Sequence, residues 1–248
     1  KSVFEALSHA AIGADARLTI EKIDAETVEK QGAAKVLRGM DAILVPGGFG
    51  SRGIEGKIAA ARYARENNIP YLGLCLGLQI AAIEFARNVL GHKDANSEEF
   101  NPKTKNPVVY QMAEQKGVEK KGATMRLGAY ACSLTPGTKA YIAYTQAGAK
   151  EGKISERHRH RYEFNAAKYR VAFEKNGMQV AGMNPQRGLV EILELKNHPY
   201  FVGVQFHPEF LSKPTHPHPL FRGLVEAGLK GQKPAGKTSK AKKMASLA

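Results

Sequence analysis

Ile69-Pro-Tyr-Leu-Gly-Leu-Cys75-Leu-Gly-Leu-Gln79 is the stretch on which the reading of this chain turns. Residues 69–74 read as a strand buried on both faces, and residues 76–90 as an apolar helix closed by Gly91. Between them stands one cysteine, with Gly73 and Gly77 two positions to either side. Small-x-nucleophile-x-small is the pattern of a nucleophile elbow. There a strand turns sharply into a helix, and the central residue takes a strained conformation at the carboxyl edge of a sheet. The helix that follows aims its free N–H groups and positive partial charge at the sulfur. The thiolate is the nucleophilic form of cysteine, and the N–H of Leu76 is placed to receive a developing oxyanion. The competing reading is a buried, inert cysteine at a tight junction.

Working outward, residues 3–11 have helical spacing closed by Gly13, and residues 18–23 read as a strand. Residues 33–37 suggest a short helix, 41–46 a strand ending in glycines, and 54–67 an amphipathic helix. Such alternation, with continuously apolar strands, argues for a parallel sheet covered by helices. In the second half, residues 108–110, 125–134, 157–164, 180–182, 189–195 and 201–206 read as strands, the last three close enough to pair antiparallel in part. Residues 166–174 and 220–229 read as helices. The expected fold is a single α/β domain over residues 1–229. Its central sheet is mostly parallel, with helices on both faces and some antiparallel strands in the second half.

Composition bounds the function. The 248 residues are 43% hydrophobic, enough for one large core, and no run approaches the roughly 20 apolar residues that span a bilayer. Only two cysteines occur, Cys75 and Cys132, which suits a reducing, cytoplasmic setting better than a disulfide framework. The chain opens on Lys1 directly in a helical pattern, and reads as a fragment of something longer. Of the net charge of +14, Lys230, Lys233, Lys237, Lys240, Lys242 and Lys243 supply +6 without a single acid. Residues 230–248 are therefore expected to be a solvated, disordered basic tail, and a polyanion contact is the lesser reading.

A thiolate needs a proton partner. His207, in Gln205-Phe-His-Pro-Glu209-Phe, follows an apolar strand, and Glu209 two residues on could hold its Nδ1 while Nε2 faces the sulfur. The loop Gly47-Gly-Phe-Gly-Ser-Arg-Gly53 contains a Gly-x-Gly-x-x-Gly match, but no acid closes a second strand some 20 residues on, so a dinucleotide site is disfavoured. Its backbone N–H groups suit an oxyanion hole instead. In Arg157-His-Arg-His-Arg161, strand periodicity puts the arginines on one face and the histidines on the other. An arginine row can clamp a carboxylate or phosphate, whereas a metal site is disfavoured because the guanidiniums repel a cation. Nucleic-acid contact is disfavoured because only Tyr162 interrupts the row with an aromatic ring.

Taken in order, Leu44-Val-Pro-Gly-Gly-Phe-Gly-Ser-Arg-Gly, Tyr71-Leu-Gly-Leu-Cys-Leu-Gly-Leu-Gln, Ala95-Asn-Ser-Glu-Glu-Phe, Thr124-Met-Arg-Leu-Gly, Arg157-His-Arg-His-Arg-Tyr-Glu-Phe-Asn and Gln205-Phe-His-Pro-Glu-Phe carry a resemblance. From about Val3 to Leu229 the chain resembles the C-terminal glutaminase domain of the CTP synthases, class I, triad-type glutamine amidotransferases. The resemblance implies a catalytic triad of Cys75, His207 and Glu209. It implies oxyanion and substrate contacts at Gly48 and Leu76, α-amino contacts at Gln79 and Glu99, and an α-carboxylate contact at Arg161. It implies L-glutamine as substrate and a cysteinyl thioester, with no cofactor or metal in this domain. For the full enzyme it implies a synthetase domain on the same polypeptide, ATP, UTP, Mg and a GTP effector, and a homo-oligomer without membrane contact. Phe49 and Arg52 fall where GTP activation would be served. Two departures stand out: the strand that normally precedes the first helix is not seen, and Lys121-Gly-Ala123 replaces paired glycines in a lid segment. The alternatives kept open are a cysteine γ-glutamyl hydrolase on the same fold and a non-enzymatic polyanion-binding module.

Overall fold

The structure, a computed structural model, describes residues 1–111, 125–231 and 242–247. Its first half alternates: α1 (Ser2–Gly13), β1 (Leu18–Ile23), α2 (Ala25–Gln31), α3 (Ala33–Val36), β2 (Ala42–Val45), α4 (Ile54–Glu66), β3 (Tyr71–Leu74) and α5 (Leu76–Asn88). There follow β4 (Asn96–Ser97), β5 (Pro107–Gln111), β6 (Arg126–Leu134), α6 (Lys139–Gln146), β7 (Lys153–His160), β8 (Tyr162–Phe164) and α7 (Ala166–Lys175). The last elements are β9 (Met178–Met183), β10 (Val190–Leu195), β11 (Phe201–Val204), α8 (Pro219–Lys230) and β12 (Lys242–Leu247).

The larger sheet runs β1-β12-β2-β3-β11-β10-β9-β6-β7. From β1 to β11 all neighbours are parallel; from β11 onward they are antiparallel. Strand periodicity sorts the side chains into two cores. Leu44, Leu72, Leu74 and Val202 face Leu7 of α1, Ala140 of α6 and Phe221 of α8. Ile43, Val45, Tyr71 and Phe201 face Ile58 of α4, Phe85 of α5 and Phe173 of α7. The central strands are buried on both sides, as the continuous apolar runs required. Among the described residues no helix is long and apolar enough to cross a membrane.

Two expectations are corrected. Residues 157–164 are not one strand. β7 ends at His160, paired with Arg126 of β6, while β8 begins at Tyr162, paired with Gln111 of β5 in a separate sheet ordered β4-β5-β8. A chain that changes partners must bend, and the bend is Arg161. The basic tail is also not disordered throughout, for Lys242–Leu247 forms β12 between β1 and β2. The slot offers two rows of backbone hydrogen-bonding groups, and Met244, Ala245, Ser246 and Leu247 are buried in it. That burial outweighs the local composition. The rest of the expected tail from residue 232, and the lid residues 121–123, lie outside the described residues.

Candidate active site

Cys75 sits between the end of β3 and the start of α5 with φ 51° and ψ −98°. For a residue with a side chain this backbone costs on the order of 1–3 kcal/mol, so its surroundings must impose it. Its N–H donates to the Val204 carbonyl at 2.7 Å, tying the turn to β11. The two glycines permit the close approach: a Cβ on Gly73 would lie 2.5 Å from the Gly77 carbonyl carbon, and one on Gly77 would collide with the Val45 carbonyl.

β11 runs parallel to β3 with Val204 opposite Leu74, so the residues after both strands emerge at one edge of the sheet. That brings His207 to the sulfur. Its N–H donates to the Arg157 carbonyl at 2.8 Å, and its Nδ1 lies 2.9 Å from Glu209 Oε1. Glu209 returns to the imidazole through a 3₁₀ turn, Pro208–Phe210, rather than through the extended chain the sequence suggested. A methyl group placed on Gly47 would stand 2.7 Å from His207 Cε1 and 3.5 Å from Cys75 Cβ, a measure of how tightly the three converge. His207 Nε2 is buried without a hydrogen-bond partner. Burial alone would lower the imidazole, but the neighbouring Cys75 thiol and the Glu209 carboxylate outweigh it and push His207 up to about 10.

In front of the sulfur lies a cavity of about 150 Å³ lined by Gly48, Phe49, Cys75, Leu76, Gln79, Glu99, Met125, His160, Arg161 and Tyr162. Every residue expected to touch substrate or oxyanion is on this wall; His207 and Glu209 are not, and stand beyond the sulfur. Gln79, one helical turn past Cys75, donates from Nε2 to the Tyr162 carbonyl at 3.4 Å. Glu99 accepts the Gly50 N–H at 3.2 Å. Burial raises its carboxyl, although the Gly50 N–H and the Arg161 charge oppose the shift. Arg161 Nε is buried without a partner. Phe49 reaches the cavity, with the Arg159 guanidinium 5.9 Å over its ring. Arg52 does not reach it: its guanidinium forks onto Glu26 at 2.8 and 3.2 Å, out in solvent. The arginine row is likewise broken, because Arg157 stacks on Phe210 while Arg161 turns to the cavity.

Gln205 was missed by the sequence reading. It is fully buried, its Nε2 donates to Cys75 Sγ at 3.8 Å, and its Oε1 accepts from Gln79 Nε2 at 3.5 Å. The available signal was a glutamine at the end of an apolar strand, since a buried amide must find partners. Cys132, the other cysteine, is buried and does not line this cavity, and burial drives its thiol well above the usual range.

The family model for glutamine amidotransferase class-I matches residues 1–227, and the chain belongs to that family. Relatives within it include CTP synthases. It is 55% identical over 249 residues to the CTP synthase of Fibrobacter succinogenes (98% of this chain, 43% of that protein), and 56% over 228 residues to that of Caldanaerobacter subterraneus (92% and 41%). It thus spans less than half the length of the curated relatives it matches, and corresponds to their glutaminase part. Among solved structures, the glutaminase domain of Trypanosoma brucei CTPS with bound acivicin superposes with a TM-score of 0.85. That domain is 39% identical, and the match covers 96% of this chain and 91% of that one.

Proposed function

We propose that this domain hydrolyses L-glutamine to glutamate and ammonia through a thioester on Cys75. The observation that carries the reading is the cavity wall itself. One small cavity is lined by a candidate nucleophile, Cys75, together with an acid (Glu99) and an arginine (Arg161) that would suit the two charges of an α-amino acid. His207, its pKa raised, already holds the proton of the Cys75 thiol, and the Cys75 thiolate attacks the side-chain amide carbon. The tetrahedral oxyanion forms against the N–H groups of Gly48 and Leu76, one such donor being worth about 3–4 kcal/mol in other acyl transfers. His207, oriented by Glu209, gives its proton to the departing ammonia. Water, deprotonated by the same imidazole, then releases glutamate.

In the full-length protein we infer that the ammonia passes to a synthetase domain that aminates UTP with ATP and Mg, as a homo-oligomer responsive to GTP. Phe49, at the cavity wall, would transmit such an effect. Arg52 would first have to leave Glu26. Both cysteines being free and buried favours a reducing, cytoplasmic setting.

An electrophilic glutamine analogue tests the site. It should alkylate Cys75, and Cys75→Ser should abolish both labelling and ammonia release. Label on Cys132, or none, would overturn the assignment. Cleavage of γ-glutamyl peptides without ammonia release would favour the hydrolase instead.

A further inference from the structure

Beside the cavity, and reaching its wall at His160, lies a cluster of ionisable side chains to which the proposed chemistry gives no role. Arg126, His158, His160, Glu163 and Glu191 are each no more than 2% exposed. Arg126 Nη2 donates to Glu191 Oε1 at 2.6 Å, and Nη1 to Glu163 Oε1 at 3.2 Å and Glu191 Oε2 at 3.3 Å. The two imidazoles meet, His158 Nδ1 lying 2.9 Å from His160 Nε2. His160 Nδ1 lies 3.1 Å from the Tyr162 carbonyl oxygen.

With both rings neutral, these contacts admit one placement of protons. A carbonyl oxygen only accepts, so His160 Nδ1 carries the N–H, and the neutral ring has a bare Nε2. The proton between the rings then belongs to His158 Nδ1, which also faces Glu191 Oε2 at 3.7 Å. His158 Nε2 is left bare, and it is indeed buried without a partner. A cationic ring is favoured by Glu191, 3.7 Å from His158, and by Glu163, 3.6 Å from His160, but burial and the Arg126 charge outweigh them. Burial, then Arg126 and His207, lower His158 to about 3; burial, then His158 and Arg126, hold His160 well below its usual range. The chain of donors ends on the Tyr162 oxygen, which also receives Gln79 Nε2. Since that nitrogen is shared with Gln205 Oε1, the Gln79 oxygen is left as the acceptor available to the cavity.

We propose that His158 and His160 are positioning residues, a one-way hydrogen-bond relay that holds the Arg161–Tyr162 bend and fixes the Gln79 amide with its oxygen offered to the substrate's ammonium. The positioning part rests on the glutaminase reading; the proton placement does not.

Long-range ¹H–¹⁵N spectra of the whole chain near neutral pH test the placement, with Arg126, Glu163, Glu191 and His207 as the charged groups around the pair. Both rings should be neutral and protonated at Nδ1. A cationic ring, or one protonated at Nε2, would overturn the relay. Kinetics test the positioning. His158→Phe, whose ring suits the space between Tyr130 and Phe206, removes the donor. It should raise the KM for glutamine about tenfold while kcat and iodoacetamide modification of Cys75 change by less than about twofold. His158→Asn, whose amide nitrogen stands near the Nδ1 position, should restore KM. Loss of kcat and alkylation together, or no restoration by asparagine, would mean a merely structural pair. If the phenylalanine variant does not fold, the spectrum of the unaltered chain still decides. If the unaltered chain releases no ammonia, the positioning role falls with the glutaminase reading, and the spectrum judges the relay alone.

Discussion

The amide of Cys75 is hydrogen-bonded to the carbonyl of Val204 at 2.7 Å, so the turn that bears the sulfur is fastened to the strand that leads to His207. The separation of thiol and imidazole is therefore set by backbone pairing between β3 and β11 rather than by flexible side chains. Burial of both strands, Leu72 and Leu74 beside Val202 and Val204, keeps that pairing in register.

The elbow should accordingly be intolerant of a single methyl group. Gly77→Ala drives a Cβ into the Val45 carbonyl, which cannot move without shifting β2. We expect a loss of about 1–3 kcal/mol in denaturant unfolding and near-complete loss of ammonia release. A fully active alanine variant would mean that the close approach is not needed.

His207 offers a pH test. Its pKa is raised from 6.5 to about 10, so its pairing with Glu209 and Cys75 stabilises the fold fully below 6.5 and is lost as pH rises through 10. Glu209→Gln removes one of the raising partners while burial, the lowering cause, remains. Its imidazole should therefore titrate at lower pH, read by NMR. An unchanged midpoint would show that Glu209 does not hold the ring.

Gln205→Leu keeps the volume and removes the N–H that faces the sulfur at 3.8 Å. A hydrogen bond to a charged group is worth about 1.5–3 kcal/mol, so kcat should fall about ten- to a hundredfold. Cys75 should become correspondingly slower towards iodoacetamide. Equal alkylation rates would reduce Gln205 to a space filler.

Leu247→Asp asks whether β12 belongs to the sheet. The leucine is fully buried in the slot, so an unpaired carboxylate there should cost several kcal/mol, or about 3 at the least. A thermal midpoint equal to that of the unaltered chain would place the segment outside the core.

These elements show what a sequence can and cannot display. β1 was legible residue for residue, because its β-branched, partly alternating Leu18–Ile23 stretch is bounded by Arg17 and Asp24. Helices α2 and α6 escaped: they are short, and their clearest signals are single caps, Asp24 accepting from Glu26 N and Thr138 from Tyr141 N. The break at Arg161 was hidden because alternation continues through it, and a change of partner strand leaves no mark on a two-residue period. β12 was obscured by its lysine-rich neighbours, since composition averages over a window wider than the four residues that are buried. At the site, Cys75, His207 and Glu209 lie in short motifs whose chemistry is local. Gln205 stood in one of those motifs too, but its role depends on partners 126 and 130 residues away and appears only when the strands assemble.

The gap at Arg161 has an evolutionary corollary. Tyr162 begins β8 of the three-stranded sheet and Glu99 follows its β4, whereas Cys75 and His207 follow β3 and β11 of the nine-stranded one. On the proposed reading, part of substrate recognition rests on the small sheet and bond cleavage on the large one, with Gln79 of α5 standing on the cleavage side. Drift or laboratory selection acting on Glu99 or Tyr162 could therefore retune the grip on the amino-acid head group without altering Cys75, His207 or Glu209.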